Sequence, residues 1–252
     1  MVDAAGVALA AGAGVVGGMM NALAGGGTFA TMPALLALGT PANIANATSN
    51  LGLMPGAAAS AWSFRRELQP VGGVSVRVLA AITFVAGLVG SVLLVVTPGA
   101  AFDLIVPWLL LIAFVAIAFG ARAADWLAAR VTIGTRTLMI VQAVLGTYGG
   151  YFGGGVGIMT TATYGLLAGT SPRAMFAPRT LMLATANLAA ALVFVACGMV
   201  RWDACLPMLA GGIVGGWLGA IVGKRLPAIV VRWWTILVTG ATTAVFFARA
   251  YG

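Results

Sequence analysis

Three consecutive glycines inside an apolar run break any helix that contains them, and this chain carries the feature twice. Ala24-Gly25-Gly26-Gly27-Thr28 sits in ALAGGGTFATMPALLALG, and Phe152-Gly153-Gly154-Gly155-Val156 sits in YFGGGVGIMTTATYGLLAG. Each glycine in a helix interior costs about 1 kcal/mol relative to alanine. Inside a bilayer, the backbone freed at such a break must be satisfied by other protein groups or by water in a cavity. Two breaks in corresponding places of two halves point to a site between the halves, where broken helices meet.

The bilayer enters the argument through composition. The 252 residues are 62% hydrophobic and only 7% charged, and mean hydropathy is +1.08. A soluble domain carries about 25% charged residues. Apolar runs long enough to span a membrane recur along the whole length, so the fold class is an all-α polytopic membrane protein. No basic segment precedes the first apolar run, and no cleaved signal peptide is expected. The net charge of +8 comes from Arg and Lys at helix ends rather than in one patch. It is read as orientation charge, with no nucleic-acid partner.

The first half divides into an apolar segment at 4–24, the glycine break, and a short limb at 28–38. That limb measures roughly 17 Å as helix, too short to span alone. Gly39-Thr40-Pro41 forms a turn, and full-length helices are expected at 43–63, 73–96 and 103–121. The second half repeats the order: a limb at 137–152, the break, a short limb at 158–168, and a turn at Gly169-Thr170-Ser171-Pro172. Full helices follow at 174–196, 204–223 and 229–249. This gives one integral membrane domain of two repeats, 1–125 and 126–252. Small-residue spacings in VAGLVG and IVGGWLG allow close helix approach.

Charge separates two topologies. If both broken segments span, the basic residues divide eight to four between the two sides, with Arg179 set aside as intramembrane. If each is a re-entrant hairpin, the halves are inverted. Arg65, Arg66, Arg77, Arg122, Arg130, Arg136, Arg173, Lys224, Arg225 and Arg232 then share one side, with only Arg201 and Arg249 opposite. The second arrangement obeys the positive-inside rule far better. It gives six crossings plus two glycine-tipped hairpins, with both termini outside. Residues 4–24, long enough to span, are the feature that fits it least.

Polar residues inside these apolar segments are the candidates for chemistry. Thr48-Ser49-Asn50 follows the first turn and aligns with Arg179-Thr180-Leu181 after the second. Three polar residues in a row face a cavity or bond to their own helix backbone. Arg179 has no acidic residue near it in sequence. Either an anionic substrate supplies the missing charge, which a guanidinium suits, or the side chain snorkels to the interface. If short helices begin at Thr28 and Val156, their N-terminal amides and dipoles favour anions at the tips. The substrate-binding set is therefore Asn21, Gly25, Gly26, Gly27, Thr28, Thr48, Ser49, Asn50, Gly153, Gly154, Gly155, Arg179 and Thr180, with Thr31, Thr160 and Thr161 as outer members. Pro33, Pro41, Pro55, Pro172 and Pro178 shape helices.

Other chemistry has little support. With two cysteines and no histidine, a Cys/His metal site is not expected, and Cys197 and Cys205 are read as unrelated thiols. The 11 methionines are scattered and read as packing. Trp62, Trp108, Trp126, Trp202, Trp233 and Trp234 lie near helix ends, as an interfacial belt does. No catalytic triad or phosphate-binding loop occurs, so neither an enzyme nor a cofactor is expected.

The chain resembles the TauE/SafE sulfite exporter family of membrane permeases. The resemblance rests on AGGGTFATMP, on ANATSN after a turn, on GYFGGGVGIM, and on MVRWDACLPMLAGGIVGGWLGAIVG, and it covers nearly the whole chain. Where members of the family carry a Thr-Ser pair, this sequence has Pro178-Arg179-Thr180, and Thr161 stands where the first limb has Pro33. The resemblance implies transport of sulfite, sulfonates and related sulfur-containing anions. The expectation is an alternating-access exporter of a small anionic substrate, in a lipid bilayer of the bacterial inner membrane type, with a homo-oligomer left open. The alternatives are a proton- or sodium-coupled uptake permease for a sulfur compound or small carboxylate, and a non-transporting membrane assembly factor.

Overall fold

The computed structural model describes the backbone of residues 2–128, 134–168, 172–223 and 228–252, and side chains at 2–119, 134–165, 174–219, 221–222 and 229–252. The second turn, expected at 169–172, falls outside these residues except for the start of a helix at Pro172. The side chains of Arg122, Trp126, Arg130, Arg173, Lys224 and Arg225 also fall outside them.

Among the described residues the first half forms α1 (Ala4–Leu23), α2 (Thr28–Ala37), α3 (Ala42–Ser63), α4 (Val76–Val96) and α5 (Gly99–Ala128). The second half forms α6 (Thr135–Tyr151), α7 (Val156–Ala168), α8 (Pro172–Ala196), α9 (Trp202–Gly223) and α10 (Ala228–Tyr251). The fold class is the helical membrane protein read from composition: among the described residues five helices, α1, α4, α5, α8 and α10, contain stretches long and apolar enough to span. Local chemistry sets the helix starts. Asp3 accepts from the Gly6 amide at 2.8 Å to cap α1, and Ser75 accepts from the Val78 amide at the start of α4. α4 therefore begins later than the 73 expected, because Val71 and Val74 pair across a tight turn.

Both glycine breaks turn the chain back on itself. α2 retraces α1: a Cβ on Gly6 would touch Leu38, and one on Gly17 would touch Thr31. α7 retraces α6 in the same way: a Cβ on Gly149 would meet Val156, and the Tyr164 hydroxyl donates to Gln142 Oε1 at 2.9 Å. The first hairpin opens beside Arg201, which donates to the Leu38 carbonyl at 2.7 Å. The second opens toward Thr135, next to Gly73. α1 is as long as a span, yet it folds back through α2.

Two backbone-to-backbone seams hold the hairpins. Cβ atoms on Gly14, Gly18, Gly211 and Gly215 would strike the carbonyl oxygens of Met208, Gly212, Ala11 and Val15 between α1 and α9. Gly90 and Gly150 stand in the same relation to Thr147 and Gly87 between α4 and α6. Lipid tails are as apolar as leucine, so close van der Waals approach of this kind is what associates membrane helices. The main packing pairs also exchange with one another when α1–α5 are swapped for α6–α10. α1 on α9 becomes α6 on α4, α3 on α9 becomes α8 on α4, and α5 on α7 becomes α10 on α2.

α3 and α8 cross in the interior, where Asn46, Thr48, Ser49, Asn50, Arg179, Thr180 and Asn187 are all buried. Phe29, Met32, Phe102, Phe194 and Met208 belong to the main buried hydrophobic cluster. The outer helices present apolar side chains outward, with Trp233, Trp234, Leu237 and Val245 of α10 exposed. Trp62, Trp108 and Trp202 are likewise exposed. Cys197 and Cys205 are free thiols, the first exposed and the second buried.

Candidate functional site

The two glycine tips touch each other. Gly25 has φ +82°, and a Cβ there would lie 2.7 Å from the Gly157 Cα. The reverse approach, from Gly157 to the Gly25 Cα, is 3.0 Å. Neither contact admits a side chain, and left-handed backbone disfavours one at Gly25 in any case. Aromatic side chains close in on both tips: Gly26 lies against the Phe29 ring and Gly154 against the Phe152 ring. The Tyr148 hydroxyl lies 3.0 Å from the carbonyl oxygens of both Leu109 and Gly154, its one proton shared between them, tying the second tip to α5.

Helix α2 begins at Thr28 and α7 at Val156, the starts at which tip amides face the break. One of those amides is already taken, since Gly27 N–H donates to Asn21 Oδ1 at 3.5 Å. Thr31 and Thr161 bond back to the carbonyls of Gly27 and Gly157 in their own helices.

Side chains from the crossing helices bind the last carbonyls of the opposite half. Asn46 of α3 donates to the Tyr151 carbonyl at the end of α6, at 3.0 Å. Arg179 of α8 donates through Nη2 to the Ala22 carbonyl at the end of α1, at 3.4 Å. The guanidinium also sits 4.4 Å over the Phe176 ring. Arg179 is 7% exposed, and its Nε has no hydrogen-bond partner. Among the described residues no carboxylate is paired with it; the ion pair there is Arg201 with Asp203, at 3.1 Å. Arg179 is thus packed against protein atoms of α1 and its own helix rather than extended outward.

Beside the Ala22 carbonyl, a recess of about 10 Å³ opens between α1, α3 and α8, with Asn21, Ser60 and Thr180 among its lining residues. That is room for about one water. The Arg179 guanidinium reaches the same stretch of α1 through the Ala22 carbonyl, and a guanidinium with neighbouring neutral donors suits an oxyanion.

The sulfite exporter TauE/SafE family profile matches residues 10–246. The chain belongs to this family. A probable membrane transporter protein of Haemophilus influenzae is 32% identical over 225 residues, covering 86% of this chain and 88% of that protein. The probable membrane transporter protein YfcA of Escherichia coli is 29% identical over 84% of this chain and 77% of its own length. The probable membrane transporter protein ORF9 of a Sinorhizobium species is 30% identical over 83% and 78%. The protein is thus an integral membrane protein of a transporter family.

Within this TauE/SafE chain the structure separates the residues that sequence grouped. Asn21, Arg179 and Thr180 come together at the first hairpin, with Gly25, Gly26, Gly27 and Thr28 forming its tip. Ser49 reaches that hairpin through Thr31, hydroxyl to hydroxyl. Asn50 instead faces the second hairpin, 3.4 Å from Asn187 Oδ1 and beside Gly153. Thr48 belongs to neither tip: its hydroxyl accepts from the Arg201 amide at 3.0 Å, at the head of α9. The separation has a simple cause. Successive helical residues step by about 100°, so three in a row point three ways. Thr180 donates to the Ala177 carbonyl of its own helix at 2.9 Å while lining the recess.

Sequence reasoning passed over Asn46, Ser60 and Asn187. Asn46 and Asn50 are spaced i, i+4 in ANATSN, a one-face signal that was available. Ser60 and Asn187 sit alone in apolar runs and carried no signal beyond their polarity.

Proposed function

We propose that this protein moves sulfite, organosulfonates or related small sulfur-containing anions across the membrane by alternating access, as an exporter. The observation that carries the reading is Arg179, a buried guanidinium with an unpartnered Nε and, among the described residues, no carboxylate paired with it. A permanent charge at that depth is expensive and marks a substrate pathway. Arg179 gives the anion its countercharge. Thr180, Asn21 and the tip amides of Gly26 and Thr28 supply neutral hydrogen bonds, the Gly25 and Gly27 amides being bonded within the hairpin. Gly153, Gly154 and Gly155 form the facing surface from the second hairpin. The recess is smaller than an oxyanion, so occupancy requires the two hairpins to part at the Gly25–Gly157 contact. The two hairpins enter the membrane from opposite faces as inverted repeats, so parting on one side and then the other exposes the site alternately. Outward movement of an anion draws on the membrane potential, about 2.3 kcal/mol per charge per 100 mV. No covalent step is assigned to any residue.

The test is flux. Proteoliposomes loaded with sulfite and given an inside-negative potential release it faster than empty liposomes, and collapsing the potential slows the release. Parallel loads of sulfate, thiosulfate, methanesulfonate and acetate rank the substrates. Release equal to that of protein-free liposomes for every anion sinks the transporter reading and brings forward a membrane assembly factor. Acetate moving as fast as sulfite replaces the sulfur-anion class with small carboxylates.

A further inference from the structure

The two hairpin ends differ in the sign of what they leave unsatisfied. At the end of α1 the orphan is a donor, Arg179 Nε; at the end of α6 the orphans are acceptors, Asn46 Oδ1 and Asn50 Oδ1. Both asparagines are nearly fully buried, at 1% and 3% exposure. They lie i, i+4 on α3 and therefore share one face. Asn46 Nδ2 is held by the Tyr151 carbonyl, and Asn50 Nδ2 by Asn187 Oδ1. Those bonds hold each amide's nitrogen and leave its oxygen free. The end of α6 adds partial negative charge, since the last carbonyls of a helix lack intrahelical partners and carry the negative pole of its dipole. Gly153 there has φ +75°, and a Cβ on it would fill the space 3.0 Å from Asn50 Nδ2 and 3.6 Å from the Gly149 carbonyl oxygen. A buried acceptor without a donor is costly, and two such acceptors beside a helix C-terminus call for a cation.

We propose that Asn46, Asn50 and the carbonyl end of α6 form a binding site for a monovalent alkali cation, with sodium the best match. The ligands are neutral oxygens. Among the described side chains around the site no carboxylate takes part, and divalent ions need ligand charge for useful affinity. Half-helix C-termini and unwound carbonyls hold sodium where broken membrane helices meet. The site rests on the transport reading above and deepens it. A cation at the second tip and an anion at the first lie on either side of the Gly25–Gly157 contact, where each offsets the charge of the other in the low-dielectric interior.

Thermal unfolding of the purified full chain tests this, with N-methylglucamine chloride replaced stepwise by sodium, lithium or potassium chloride at constant ionic strength. Sodium raises the unfolding temperature along a saturating curve, as a ligand of the folded state does. The sodium midpoint weakens by at least about tenfold in Asn46→Leu and Asn50→Leu. Asn50→Asp, which keeps an oxygen in place and adds a charge, strengthens it; this variant carries the test if the leucine variants do not fold. Equal shifts with every cation, no shift at all, or an Asn50→Asp midpoint identical to wild type overturns the site, and the acceptors then bind water. Sulfite titrated in sodium-free buffer reads the anion site separately. A sulfite shift without any sodium response defeats the cation site alone, whereas a sodium shift without a sulfite response upholds it and defeats the anion reading.

Discussion

Replacing Arg179 with methionine distinguishes an anion site from a structural anchor by the sign of its effect. The side chain has one hydrogen bond, long at 3.4 Å, one ring contact at 4.4 Å, and an unpartnered Nε. A buried arginine in a membrane costs about 2.5–3.5 kcal/mol on the mild insertion scale. Stacking on Phe176 returns about 0.5–2 kcal/mol. The bond to Ala22, stretched and imperfect, returns no more than about 1 kcal/mol. Set together, these leave the ligand-free protein about 1 kcal/mol less stable than one with an apolar side chain of similar length. Replacing a buried charge by a well-packed apolar group is often stabilising for this reason. Arg179→Met in detergent, followed by tryptophan fluorescence on heating, should therefore unfold at a higher temperature than wild type, by about 2–4 °C. Sulfite at a hundredfold excess over its dissociation constant stabilises wild type by about 2.7 kcal/mol and the variant not at all, so the order inverts when sulfite is added. A variant that melts below wild type without ligand, yet keeps its sulfite shift, refutes the argument and makes Arg179 a clamp on the end of α1.

Four further outcomes follow from the packing. Gly215→Val drives a side chain into the Val15 carbonyl of α1 and should destabilise by about 1–3 kcal/mol, whereas Gly12→Ala in the same seam's first helix, with nothing within 4 Å, should stabilise by about 0.5–1 kcal/mol; melting curves measured side by side check both. Gly25→Ala forces the hairpin tips apart at the 2.7 Å approach to Gly157, and sulfite release from proteoliposomes should fall to the protein-free rate while the folded protein persists in size-exclusion chromatography. Gln142 donates through Nε2 to Thr83 at 2.7 Å and accepts through Oε1 from Tyr164, so Thr83→Val leaves a buried donor unmet and should cost about 1–3 kcal/mol; adding Gln142→Leu should recover part of that loss in denaturation. Arg201→Gln removes the bonds to Leu38 and Thr40 and the pair with Asp203, and hydrogen exchange at residues 35–40 should accelerate while exchange at the second hairpin stays unchanged.

Much of this molecule was legible in its sequence, and the reasons are local. Low charge and long apolar runs impose helices, because lipid satisfies no backbone group. Triple glycines impose breaks, because bare backbone forfeits helix stability wherever it sits. The short helices begin at Thr28 and Val156 for that reason, and Asp3 and Ser75 cap the helices they precede. Residues 4–24 are long enough to span, which is what fitted the hairpin reading least; the return of α2 along α1, with Leu38 against Gly6, packs them as one arm of a helical hairpin. Sequence likewise singled out Arg179 as a charge without a partner, but its inward turn depends on the Ala22 carbonyl and the Phe176 ring. Thr48, Ser49 and Asn50 show the limit most clearly. They are neighbours in the chain, yet helical rotation sends them to Arg201, Thr31 and Asn187. Composition and glycine placement act through interactions within a few residues and so determined the class, the helices and the breaks. Which breaks touch, and which end is left short of donors or acceptors, depends on groups more than a hundred residues apart, and only tertiary packing decided it.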